Sequence, residues 1–202
     1  MNMIPSQPKS SQSKSSQAMS LRSLIYIALF AAIIAALGIV PKVNIPFAGG
    51  VPITAQTLGV MLAGVILGAR HGALSMMLFL ALVAMGLPLL SGGRGGLAPF
   101  WSPSLGYLIG FVVGAFTTGY VFQRLNHLPV FWAALIASIV GGIGAVYLFG
   151  IPVMAWFMNK SIVETAIINA VFLIGDMIKV VATAFIADTI RRTMPSAFAI
   201  NT

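Results

Sequence analysis

Six apolar stretches, all but the last nearly free of charge, constrain what this chain can become more than any motif does. They run roughly over residues 21–40, 54–67, 71–85, 106–122, 129–149 and 175–192. Only 7% of the 202 residues are charged and 59% are hydrophobic, with a mean hydropathy of +1.02. A soluble domain carries about a quarter charged residues, so this chain lacks the groups to coat a water-facing surface. Most of its surface must face lipid. In hydrocarbon every backbone N–H and C=O needs a partner within the protein, which favours helices over open strands. The expected fold is therefore an all-α membrane protein, a six-transmembrane-helix bundle. The stretches 54–67 and 71–85 fall short of the roughly 17–25 residues of an ordinary span and are expected to tilt, extend or be shielded by neighbours. Residues 151–174 contain Pro152, Lys160 and Glu164 and are expected to form short interfacial or re-entrant helices.

Basic residues supply the sidedness. The formal net charge is +8. In a lipid-embedded chain that excess marks loop sides rather than a nucleic-acid partner. With the N-terminus inside, Lys9, Lys14, Arg22, Arg70, Arg124, Arg191 and Arg192 are cytoplasmic, whereas Lys42, Arg94 and Lys160 lie in outer connections. That bias agrees with an N-in/C-in arrangement, and an even number of crossings returns the chain to its starting side. Residues 1–20 hold seven Ser and three Gln with no aromatic residue, a composition that cannot offset ordering entropy. They are expected to form a disordered cytoplasmic tail, followed by the membrane domain over 21–193 and a short cytoplasmic tail over 194–202. This topology places three long connections outside, 41–53, 86–104 and 151–174, the first two rich in glycine and proline. Such loops either bring backbone close to a ligand or simply contain what loops usually contain.

Few side chains can carry chemistry. Asp176 and Lys179 are three apart and share a helical face. A charge in the hydrocarbon costs about 2.5–3.5 kcal/mol on insertion scales, which marks such residues as functional candidates. Either the pair faces the bundle interior as part of a ligand site, or Asp176 caps the last helix after Gly175 while Lys179 snorkels outward to pair with it. Arg94, between two glycine pairs, could grip a carboxylate with two parallel hydrogen bonds or be an ordinary solvated loop arginine. Ala28, Ala32 and Ala36 recur every four residues on one face of the first helix, suited to close helix packing within the bundle or against another protein. There is no cysteine, no phosphate-binding GxxxxGK[ST] and no metal-ligand spacing at His71 or His127. An intramembrane enzyme is disfavoured, because Asp176 and Asp188 lie about 18 Å apart by helical rise and no nucleophile–base pair is visible.

The segments VPITAQTLGVMLAGVILGARHGALSMMLFL, GLPLLSGGRGGLAPFWSPSLGYLIGF and GDMIK, in that order and spacing, resemble the BioY family over nearly all of the chain after residue 20. The resemblance implies six helices and an outward pocket for biotin. It also implies the role of S component in an energy-coupling-factor importer, beside a transmembrane T component and two ABC-type ATPases. No cofactor is implied, ATP acting only through those partner subunits. By the same resemblance Asp176 would accept from the ureido N–H groups of biotin, Lys179 would donate on the same face, and Arg94 would hold the carboxylate. Thr54, Gln56, Trp101, Ser104 and Tyr107 would contribute pocket walls, and the Ala28–Ala32–Ala36 face would meet the T component. A transporter working without the coupling complex, or one for a different vitamin, is the alternative expectation.

Overall fold

The structure, a computed structural model, describes residues 21–41 and 54–194. The expected tails, apart from Met194, and residues 42–53 of the first connection lie outside the described residues. Six α-helices carry the fold: α1 (Leu21–Leu37), α2 (Gln56–Ala84), α3 (Leu105–Arg124), α4 (Val130–Ala137), α5 (Val146–Met158) and α6 (Ile162–Thr193). A π-helical segment, Ser138–Ala145, joins α4 to α5 so that 130–158 runs as one rod, and a 3-10 turn, Ala98–Trp101, precedes α3. Four of these rods are long and apolar enough to cross a membrane, and α1 is a shorter apolar helix. Among the described residues the only strand-like pairing is a bridge between Leu90 and Arg94. The chain is an all-helical, multi-pass membrane protein.

α2 is two helical arms rather than one. At Gly68 the backbone takes φ 77° and ψ 179°, a combination open essentially to glycine alone. Beyond it the chain doubles back: a Cβ built on Gly72 would lie 2.9 Å from the Ala63 carbonyl oxygen, although nine residues of straight helix would separate the two by about 13 Å. Gly119 of α3 lies against this reversal, where a side chain would sit 2.3 Å from the Ala69 nitrogen. The two short apolar stretches expected on either side of residues 68–70 therefore correspond to the arms 56–67 and 69–84. Their shortness has a physical basis in the first arm, since every residue from Gly59 to Leu67 is buried by neighbouring helices. An arm wrapped in protein need not match the thickness of lipid.

The stretch 151–174 departs from expectation. Instead of short interfacial pieces, the rod begun at Val130 continues through Pro152 to Met158, turns at Asn159 in the left-handed conformation (φ 51°), and α6 starts at Ile162. The third long outer connection is thus reduced to residues 159–161. Ser161 caps α6 by accepting from the Glu164 backbone N–H (3.1 Å), while the Glu164 carboxylate accepts from the Ser161 N–H (3.0 Å). This reciprocal box satisfies two groups that a helix start otherwise leaves orphaned.

Small residues hold the bundle together. Gly64, Gly114 and Gly141 lie where the first arm of α2, α3 and the π-helical segment converge on Thr118, and a Cβ on Gly141 would come within 2.3 Å of the Thr118 backbone nitrogen. Without a hydrophobic force between helices in lipid, such backbone proximity is what dispersion contacts require. The outer face of α6 is clothed in exposed Ile162, Ile167, Ile174, Ile178 and Phe185, as a lipid-facing surface should be.

Candidate functional site

The inner face of α6 inverts the usual pattern, with polar groups inward and apolar groups outward. Thr165, Asn169, Asp176 and Thr183 are fully or almost fully buried along one stripe, and Lys179 lies beside it. Because α6 begins at Ile162, Asp176 sits about 21 Å along it by helical rise, near its middle. The helix-capping reading of Asp176 is therefore incorrect, since the cap is Ser161. Asp176 is 4% exposed, and its carboxylate accepts from three donors. Lys179 Nζ (2.8 Å) and Thr57 Oγ1 (3.1 Å) reach Oδ1, and the Tyr147 hydroxyl (2.7 Å) reaches Oδ2. Lys179 Nζ also donates to Thr57 Oγ1 (2.9 Å). A charge pair withdrawn from water is tolerable only when its remaining hydrogen-bonding capacity is met, and here three helices contribute to that.

Two turns nearer the start of α6, Asn169 accepts a hydrogen bond from the Tyr107 hydroxyl and donates to the Thr165 carbonyl (2.8 Å). The Met154 sulfur lies 3.4 Å from the Asn169 amide nitrogen. α3 supplies Tyr107 from its first turn, with Gly106 and Gly110 allowing α5 to pack closely beside it.

Arg94 reaches the same space from the connection 85–104. Leu90 and Arg94 exchange backbone hydrogen bonds (3.0 and 3.2 Å), closing a tight hairpin whose tip, Gly92 and Gly93, takes positive φ. The glycine pair is needed for that turn, which aims the half-buried guanidinium inward. Its Nε donates to the Ser91 carbonyl (3.4 Å) and its terminal nitrogen to Ser104 Oγ (3.3 Å). Burial pulls its pKa below the ordinary arginine value.

Arg94, Tyr107, Asp176 and Lys179 border one cavity, whose empty space is about 580 Å³ when its open mouth is included. Thr54, Thr57, Arg94, Ser104, Tyr147, Asp176 and Lys179 give it polar walls, and Leu90, Leu108, Phe111, Val146 and Phe172 give it apolar ones. Of the residues expected at a pocket, Thr54, Gln56, Arg94, Ser104, Tyr107, Asp176 and Lys179 are brought together here. Trp101 is not: it is 80% exposed and absent from the lining. Gln56 borders the cavity, but its amide is committed to neighbouring backbone. Thr57, Tyr147 and Asn169 were not anticipated. Asn169 could have been found from the SIVE sequence at 161–164, a capping-box signature that starts α6 early enough to place position 169 on the Asp176 face. Thr57 and Tyr147 carried no such signal, since their partners are 119 and 29 residues away. Ala28, Ala32 and Ala36 are exposed on α1, outside the bundle contacts.

The family model described as "BioY family" matches residues 10–196. A biotin transporter BioY of Rhizobium etli is 48% identical over 177 residues, covering 85% of this chain and 94% of that protein. One of Rhodobacter capsulatus is 47% identical over 186 residues, covering 87% and 96%. A crystal structure of the S-component for biotin from an ECF-type ABC transporter superposes with a TM-score of 0.80 at 35% identity, covering 87% of this chain and 95% of that one. With the family match spanning residues 10–196 of the 202, the chain belongs to the BioY family.

Proposed function

We propose that this protein binds biotin in the cavity bordered by Arg94 and Asp176 and delivers it across the membrane as the S component of an ECF-type importer. The observation that carries the reading is the buried Asp176–Lys179 pair, held by Thr57 and Tyr147 at the wall of a cavity of mixed polar and apolar lining. Biotin offers what those residues lack. Its ureido group has two N–H donors and one carbonyl acceptor, complementary to a carboxylate beside an ammonium. Its thiophane ring suits Phe111, Val146 and Phe172. Its carboxylate suits the half-buried Arg94, with Ser104 and Thr54 alongside. Tyr107 shapes the wall between them.

Counting the arms of α2 separately, the chain crosses the membrane six times with both termini cytoplasmic. Exposed Trp101 and Trp156 then lie near the outer interface and Tyr120 and Trp132 near the inner one, where amphipathic rings prefer to sit. The cavity opens to the outside, bordered there by Thr54 and the connection 85–104. The exposed Ala28–Ala32–Ala36 face of α1 is the surface that docks a transmembrane T component, and two ABC-type ATPases supply the energy. Docking and ATP use reorient the S component so that the cavity faces the cytoplasm.

The test is equilibrium binding of biotin to the purified protein, with other vitamins as competitors, repeated on Asp176→Asn and Lys179→Met. Binding that is selective for biotin and weakened in both variants is expected. Equal binding of unrelated vitamins, or affinity unchanged in both variants, would remove the assignment.

A further inference from the structure

We propose that Gln56 is a positioning residue, a latch that ties the end of α1 to the 90–94 hairpin and thereby aims Arg94 at the ligand's carboxylate. The inference rests on the assignment of that carboxylate to Arg94.

Gln56 is 2% exposed. Its amide nitrogen donates to the Ile34 carbonyl of α1 (3.2 Å) and to the Leu89 carbonyl beside the hairpin (3.1 Å). Its amide oxygen accepts from the Ser91 backbone N–H inside the hairpin (3.2 Å). Both amide protons are thus used, so Gln56 has no donor left for a ligand. The three bonds nonetheless decide where Arg94 can be. Arg94 pairs with Leu90 through backbone and donates to the Ser91 carbonyl, so the residues that Gln56 grips flank or contact those that hold Arg94. No other side-chain hydrogen bond joins α1 to this hairpin among those described. Gly38 confirms how tightly the elements meet: a Cβ there would lie 2.3 Å from the Leu89 oxygen and 3.0 Å from Gln56 Nε2. The position of the end of α1 is consequently read directly by the hairpin that presents the guanidinium.

Two variants strike this latch from opposite sides without touching Arg94. Gln56→Leu removes all three bonds at nearly constant size, and Gly38→Ala crowds the Leu89 carbonyl oxygen and the Gln56 amide nitrogen without removing the amide. Both are compared with wild type for binding of biotin and of biotin methyl ester, which lacks the negative charge, on full-length protein whose thermal melting is recorded in parallel. Each variant should weaken biotin about tenfold, the worth of one charge-assisted hydrogen bond, and leave the ester within about twofold. In an Arg94→Gln background, Gln56→Leu should change biotin affinity no further, because residues acting through one contact are not additive. Equal weakening of acid and ester, additivity with Arg94→Gln, or unchanged biotin binding in Gly38→Ala would overturn the inference. If Arg94→Gln alone bound acid and ester as wild type does, the carboxylate assignment would fall and the latch with it. Wild-type protein that bound neither would instead refute biotin as the ligand.

Discussion

Replacing Asp176 with asparagine changes one oxygen to an amide nitrogen at constant size, in a site where that oxygen's partners are known. The carboxylate accepts from Lys179, Thr57 and Tyr147, and water barely reaches it. Asparagine retains one acceptor oxygen, so at least one of the three donors loses its partner, and Lys179 remains nearly buried without a counter-charge. Breaking a buried ion pair from one side costs about 3–5 kcal/mol, and the remaining Lys179–Thr57 bond argues for the lower end. Ligand binding suffers separately. A hydrogen bond to a charged group is worth about 1.5–3 kcal/mol, which corresponds to a roughly 10- to 150-fold weaker Kd. The double variant Asp176→Asn, Lys179→Met separates these effects, because removing both charges relieves the stranded ammonium. It should regain most of the melting temperature lost by Asp176→Asn while binding biotin no better. Isothermal titration and thermal melting on the same preparations measure both quantities. Wild-type affinity in Asp176→Asn, or affinity restored in the double variant, would refute the assignment of this pair to the ligand.

Three further outcomes are expected. Gly68→Ala forces a side chain into a backbone conformation nearly exclusive to glycine and should destabilise the protein by about 1–3 kcal/mol, seen as a lower melting temperature. Ala32→Leu, on the exposed face of α1, should leave biotin binding by the isolated protein intact but prevent copurification with a T component and lower biotin uptake in cells. Trp101→Ala should change biotin affinity less than about twofold in a binding titration, because its ring lies outside the cavity and side chains with no contact to a ligand rarely move its affinity.

Which residues were legible in advance follows from the range of their interactions. Asp176 and Lys179 stand out because two charges within an apolar run are costly wherever the run lies, and their pairing is local, at three residues' separation. Arg94 stands out because the glycines around it announce a turn. Pro152, by contrast, suggests a break that does not occur, since the chain remains helical through it to Met158. Lys160 and Glu164 suggest an interfacial segment, whereas Lys160 occupies a three-residue turn and Glu164 closes a capping box at the head of the longest helix. Misplacing that start by thirteen residues hid Asn169 from the polar face of α6. Trp101 looked like a pocket wall because it neighbours pocket residues in sequence, but the 3-10 turn points it outward.

Hydropathy alone determined that this chain is helical and lives in a membrane, because the free energy of burying backbone in hydrocarbon depends on composition and not on partners. That Asp176 and Lys179 pair inside the bundle was one of two readings and was decided by the structure. The order of its motifs carried the family resemblance. Only the tertiary structure decided that Thr57 and Tyr147 complete the Asp176 site, that α2 folds back at Gly68 into a protein-wrapped arm, and that Gln56 braces α1 against the Arg94 hairpin. Each of these is a contact of a few ångströms between segments distant in sequence, and such contacts exist only once the helices have packed.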